Sequence, residues 1–296
     1  MQATSETTST VTVDGLSVRV QHTKPAAIAD PPVVFVLHGW GAHIEALGSI
    51  VAGLRDKVAL VVPDLPGHGR SDMVPAAWTS ADYARFVVRL ADTLGIDRFA
   101  LIGHSRGAAI SLVIATEPDL RGRVERMIFT GGAGIRPRRR AAYYGKVGMA
   151  KVGKAAAAIG GAPGKKLQEG IRGRVASADW LAAPEELRGT LRNILAEDLS
   201  PRLSQVSVPT LLMWGDRDED TPMWMAEQME REIPGAGLVV LRGGGHYAYA
   251  EQAGQFNVVA AHFLTQGGRR GSGASGGAAA GTPGTGDADA RAGAQS

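Results

Sequence analysis

The sequence predicts an α/β fold built on a mostly parallel central sheet with helices on both faces, interrupted by one inserted all-helical segment. Three observations carry this. Short continuous apolar runs of strand length, as buried parallel strands are, alternate with longer segments of helical period. Between Ile135 and about Arg202 the alternation stops, and amphipathic helical segments replace it, most plainly Pro184 to Leu195. The third observation is Gly103-His104-Ser105-Arg106-Gly107, a G-x-S-x-G sequence placed between an apolar strand and a helix. In that setting the serine sits on a sharp turn with its hydroxyl above the sheet.

Taken in order, Val11–Val20 reads as two alternating runs around Asp14-Gly15, a hairpin signal. Val33–Leu37 is a buried strand that ends at His38-Gly39-Trp40-Gly41, and a helix follows from about Glu45 to Leu54. Val58–Val62 is the next strand and runs into the turn-rich loop from Pro63 to Asp72. Ser80 is read as the cap of a helix reaching Leu94, with Tyr83, Phe86, Val87 and Leu90 on one face. The strand Arg98–Ile102, the serine turn and its helix come next, followed by the strand Val124–Thr130. After the inserted segment come strand Thr210–Trp214, helix Met223–Glu232, strand Gly237–Leu241 and helix Glu251–Leu264.

This divides the 296 residues into a core made of 1–134, with the N-terminal hairpin, and 205–266, a helical insertion over 135–204, and a tail over 267–296. The tail lacks Leu, Ile, Val and aromatics, so it is expected to be disordered. Cysteine is absent, which excludes disulfides, thiol nucleophiles and thiolate metal sites. Neither a secretory leader nor an apolar run near the ~18–20 residues of a membrane span is present, and a cytoplasmic location is expected. High Ala, Gly and Arg content points to a GC-rich bacterial source. The net charge of +3 hides an asymmetry: from Arg136 to Arg174 eleven basic residues face one acid, Glu169.

Ligands of such sheets sit beyond the carboxyl ends of the strands. The loops His38–Gly41, Ser105, Asp216–Asp220 and Gly243–His246 all lie at such ends and should converge. A serine hydroxyl needs a base to take its proton, and the base needs a carboxylate to fix its tautomer. His246, on a glycine-rich loop after the last strand, is the best candidate base. His262 falls within a helix, His22 in the hairpin and His68 in a loop. Asp218 is the favoured carboxylate, Asp220 its main rival, and Asp216 is better placed as a turn residue. The negative charge that builds on an attacked carbonyl needs fixed donors, assigned to the backbone N–H groups of Trp40 and Arg106. His38 is read as a structural residue that holds its loop by hydrogen bonding. No metal or organic cofactor is called for.

His38-Gly39-Trp40, Asp64-Leu-Pro-Gly67-His-Gly69-Arg-Ser71, Gly103-His-Ser-Arg-Gly107, Trp214-Gly-Asp-Arg-Asp218 and Gly245-His246 fall in an order that resembles the α/β-hydrolase fold family. The resemblance spans Val11 to Leu264. It implies a helical lid inserted after the strand ending near Thr130, and hydrolysis through an acyl-serine without a cofactor. Members with an aspartate nucleophile, such as haloalkane dehalogenases and epoxide hydrolases, are disfavoured because position 105 is Ser. Two departures stand out: Arg106 where many relatives carry Met or Gln, and three crowded acids, Asp218-Glu219-Asp220.

The resulting expectation is a serine hydrolase of an ester, lactone or similar activated carbonyl compound, with an apolar ester-like small molecule as substrate. The alternatives are a C–C bond hydrolase or acyltransferase using the same triad, and a non-catalytic ligand-binding protein. Nucleic acid is not expected as a partner, because the basic run carries only Tyr143 and Tyr144 for stacking. Contact of the basic lid with a membrane surface is the best functional reading of its charge, against a solvated helical surface as the plainer one. Gly160–Lys166 lacks the spacing and the preceding strand of a phosphate loop.

Overall fold

The computed structural model describes residues 4–136 and 178–266. Within them β1 (Ser5–Val13) and β2 (Leu16–Lys24) form the hairpin, turning at Asp14 and Gly15, both at positive φ. Then come β3 (Val33–Leu37), β4 (Ala59–Pro63), β5 (Phe99–His104), β6 (Val124–Thr130), β7 (Thr210–Gly215) and β8 (Gly237–Leu241). They form one sheet in the order β1-β2-β4-β3-β5-β6-β7-β8. The hairpin pairs antiparallel, with itself and with β4, and every other pairing is parallel. The hairpin is longer than its apolar alternation indicated, because the Thr/Ser-rich residues Ser5–Thr10 pair with β2 while remaining exposed.

Strand residues alternate between two cores, as a period of two requires. Phe35, Leu37, Phe99, Leu101, Phe129 and Trp214 face the side covered by α2 (Ser80–Thr93), α3 (Arg106–Thr116) and, in the same core, a helix of residues Met223–Glu232. Val34, Val36, Ile102, Ile128 and Met213 face the other side, covered by α1 (Gly48–Leu54) and a last helix, Ala253–Thr265. The first cap is corrected by one residue. Thr79 caps α2, accepting from the Asp82 N–H, while the Asp82 carboxylate takes the Thr79 N–H in a capping box. Ser80 is instead tied to Glu197.

Of the inserted segment the structure describes α4 (Ala178–Ala182), α5 (Arg188–Ala196) and short 3-10 turns at Glu185–Leu187 and Ser200–Gln205. The helix read from Pro184 is therefore a 3-10 turn that passes into α5. Leu191 is buried, the Thr190 hydroxyl accepts the Trp78 N–H at 3.0 Å, and the Asn193 amide donates to the Ala77 carbonyl at 3.0 Å. Residues 137–177, with nearly all of the basic run, and the tail expected to be disordered lie outside the described residues. The remaining helices are α6 (Met223–Glu232), α7 (Ala248–Glu251) and α8 (Ala253–Thr265).

Three buried histidines sit at or just beyond the carboxyl ends of the strands: His38, His68 and His104. His38 holds its loop, its Nδ1 meeting the Gly39 carbonyl at 2.7 Å and its Nε2 accepting the Leu65 N–H at 2.9 Å. Burial lowers all three below the ordinary histidine range, His38 to about 4 and the other two to about 3. Each therefore stays neutral in the folded protein while the unfolded chain binds a proton near pH 6.5.

Two predictions follow from this packing. Gly107 lies so close to β3 that an added Cβ would stand 2.1 Å from the Leu37 carbonyl oxygen, whereas at Gly48 nothing lies within 4 Å. Gly107→Ala should lose about 3 kcal/mol or more, a fall in Tm of roughly 6–12 °C. Gly48→Ala should leave Tm unchanged or raised by up to ~1 kcal/mol of added stability. Equal Tm values for the two variants would refute the close-approach argument. Second, because the folded-state pKa of each buried histidine is lowered, the stability it contributes is present above pH 6.5 and is lost as pH falls toward 4. With all three titrating, the slope near pH 5 should approach about 4 kcal/mol per pH unit. Denaturant unfolding between pH 7 and 4.5 measures it, and a flat profile would contradict neutral buried histidines.

Candidate active site

Ser105 joins β5 to α3 at φ 51° and ψ −114°, a conformation that L-residues rarely adopt. The backbone around it is pinned. Its N–H donates to the Thr130 carbonyl at 3.0 Å and its carbonyl accepts the Ala133 N–H at 2.9 Å. Gly103 permits the turn, since a Cβ there would meet the Ala108 nitrogen at 2.5 Å. The His38-Gly39-Trp40 loop lies directly against the turn, because a Cβ on Gly39 would stand 3.1 Å from that of Ser105. Arg106 opens α3, so its N–H belongs to the first turn of N–H groups that a helix leaves without internal partners.

The loops after β7 and β8 bring Asp218 and His246 together. Nδ1 of His246 is 3.0 and 3.1 Å from the two Asp218 oxygens, with the carboxylate fully buried and the imidazole 14% exposed. Asp218 also accepts the N–H groups of Asp220 (2.9 Å) and Thr221 (2.8 Å) and the Thr221 hydroxyl (2.8 Å). Burial alone would push the Asp218 carboxyl up; the bonds from His246 and Thr221 outweigh it and hold it below its ordinary value. Asp220 is exposed and lends its backbone to Asp218. Asp216 is a turn residue, its carboxylate accepting the Gly243 N–H at 2.7 Å. Asp218, Asp220 and His246 bring possible cation ligands within 4.8 Å of one another, yet both Asp218 oxygens and the His246 Nδ1 already satisfy one another.

Several supporting residues were not visible in the sequence reading. Thr221 braces Asp218 and is itself held by the buried Trp214 indole, which donates to the Thr221 carbonyl at 2.6 Å. Its signal was available: a threonine three residues after an aspartate and just before the proline that precedes a helix is a common local bonding pattern. His104 lies behind His246, its Nε2 bonded to the His246 carbonyl at 3.0 Å with the rings 4.8 Å apart. Glu197 had no local signal. It takes the Ser80 N–H at 2.8 Å and also the Ser80 hydroxyl, which joins the inserted segment to α2.

Trp40, Ser105, Arg106, Glu197, Thr221, His246 and Tyr247 line one cavity of about 550 Å³, walled on the insertion side by Leu191, Ile194 and Leu195. That volume suits a small molecule. The side chain of Arg106 does not extend into solvent. It is 3% exposed, with its guanidinium carbon 4.6 Å from the Tyr83 ring centre and 6.0 Å from that of Trp40. Burial lowers it to about 10, so it remains charged at neutral pH. Among the described residues no helix is long and apolar enough to cross a membrane.

Comparison with known proteins agrees with the fold. The chain is 30% identical over 250 residues to the 2-hydroxy-6-oxo-6-phenylhexa-2,4-dienoate hydrolase of Comamonas testosteroni, an alignment covering 77% of this chain and 83% of that one. It is 26% identical to a 2-hydroxy-6-oxononadienedioate/2-hydroxy-6-oxononatrienedioate hydrolase from a Pseudomonas species, covering 79% and 88%. In fold it matches the enol-lactonase of Burkholderia xenovorans LB400 with a TM-score of 0.66 at 20% identity, covering 87% of this chain and all of that one. Residues 33–259 match the alpha/beta hydrolase family, and with that match the chain belongs to this family of hydrolases.

Proposed function

We propose that the protein is a serine hydrolase that cleaves an ester, lactone or similarly activated carbonyl compound through an acyl-serine intermediate. The observation that carries this reading is the buried Asp218–His246 bond, made through Nδ1 and set on the same cavity as the strained Ser105. With Nδ1 engaged, the other ring nitrogen serves as the base. Ser105 attacks the carbonyl carbon as His246 takes its proton, and the N–H groups of Trp40 and Arg106 hold the oxyanion. The tetrahedral intermediate collapses as His246 returns the proton to the leaving group. Water, deprotonated by His246, then releases the acid and restores Ser105. Residues 135–204 act as the lid, and Leu191, Ile194 and Leu195 give an apolar wall for the substrate's carbon chain.

A second reading is C–C bond hydrolysis by the same triad. The Comamonas relative supports it, because its name specifies a 6-oxo dienoate, a ketone without an ester bond. Hydrolysis at such a carbonyl breaks a carbon–carbon bond. An acyltransferase would share the first half-reaction and differ in preferring an alcohol to water.

A fluorophosphonate should add once to the wild type and not to Ser105→Ala, as read by intact mass; a folded wild type that takes no adduct would count against an activated serine. Asp218→Asn should lower kcat by roughly 10³–10⁴-fold, while Asp220→Asn should cost less than about tenfold. The reverse ranking in steady-state kinetics would move the orienting carboxylate to Asp220.

A further inference from the structure

We propose that Arg106 recognises a carboxylate on the substrate, which places an acid group a few bonds from the carbonyl attacked by Ser105. The inference rests on the reading of Ser105 as the nucleophile and names the substrate class of that site. A guanidinium removed from water with no counter-charge in contact is among the costliest groups a fold can bury. None of the three side-chain nitrogens of Arg106 has a hydrogen-bond partner. Its guanidinium carbon lies over the Tyr83 and Trp40 rings, contacts that supply no hydrogen-bond acceptor to the N–H donors. The in-plane fork of N–H donors is left unused, and that fork matches a carboxylate in bidentate geometry.

Neighbouring acids do not fill it. Glu197 lines the same cavity and binds the Ser80 N–H and hydroxyl, but no hydrogen bond joins it to Arg106, on which it acts only through space. Packing does not require a cation here either, since methionine has similar reach and carries no desolvation cost. The nitrogens are closed off from water. The half-buried Trp40 ring lines the cavity beside the guanidinium, and it is this side chain that a bound acid displaces, with its backbone N–H left in place. Because Arg106 follows Ser105 directly, an acid held there keeps its own carbonyl within reach of the hydroxyl.

The test compares two substrates in each enzyme, so that any general effect of the substitution cancels. One is the nitrophenyl monoester of glutaric acid; the other is its primary-amide analogue. The wild type should prefer the acid in kcat/KM by ~10-fold or more, and in Arg106→Met the ratio should fall to about 1. Arg106→Lys, which keeps the charge and loses the fork, should lie between them and serves as the variant if the Met form does not fold. Binding is read separately by calorimetry of glutarate and glutaramide on Ser105→Ala, where glutarate should bind more tightly. A preference that survives in Arg106→Met, or no preference in the wild type together with equal binding to Ser105→Ala, overturns the inference. Turnover of the neutral ester that depends on Ser105 but ignores the acid sinks only this inference. Turnover that persists in Ser105→Ala sinks the reading of the nucleophile itself.

Discussion

The close approach of α3 to β3 and β5 is the constraint on which the site depends. Gly103 lies against the start of α3 and Gly107 against the Leu37 carbonyl, each leaving no room for a side chain. A helix that begins so tightly against the strand before it has no space for a gradual turn. The chain reverses at a single residue, and that residue takes the strained φ of 51°. The strain persists because the surroundings over-determine it: Thr130 and Ala133 bind the Ser105 backbone on one side and Gly39 packs on the other. The result is a hydroxyl at a helix N-terminus, beside the loop carrying Trp40. All of α3 is buried, so its packing fixes the serine against the sheet.

A second layer of the site is electrostatic, and it mixes neutral and charged groups by burial. His38, His68 and His104 are held neutral, so they serve as fixed donors and acceptors for loop backbone rather than as titrating groups. Asp218 stays ionised because four hydrogen bonds, from Asp220, Thr221 and His246, replace the water it has lost. Arg106 differs from both. It remains charged while only aromatic faces touch it, and cation–π contact offsets part of the cost without supplying a counter-charge. The contrast with the well-bonded Asp218 marks Arg106 as a group whose environment is incomplete without a ligand.

Much of this was legible in the sequence because it rests on local pattern. Apolar runs of strand length alternating with helical period gave the six parallel strands, and the glycines around Ser105 gave the turn. The order of Ser105, Asp218 and His246 followed from loops at strand ends. What escaped depends on partners distant in the chain. Nothing near Glu197 says that it reaches Ser80, and Thr79 rather than Ser80 caps α2 because Ser80 is taken by that partner. The polar half of β1, Ser5–Thr10, escaped for a similar reason, since backbone pairing with β2 suffices to form it without an apolar face. The burial of Arg106 had no local signal either, because arginine at the first position of a helix ordinarily reaches solvent. Here the helix is buried on every side.

The tie between Glu197 and Ser80 joins the described part of the insertion to the wall of the cavity. Glu197 follows α5 directly, and its carboxylate lies on the first turn of α2, where the free N–H groups and the helix dipole favour an anion. Thr190 and Asn193 add bonds to the loop of residues 77 and 78 just before α2. These contacts fix the far wall of the cavity to the same helix that supplies Tyr83 to the face of Arg106. The contacts thus run without a break from α5 through α2 to the guanidinium and to Trp40. The proposed reading of substrate charge by Arg106 then shares one connected set of contacts with the apolar wall of α5.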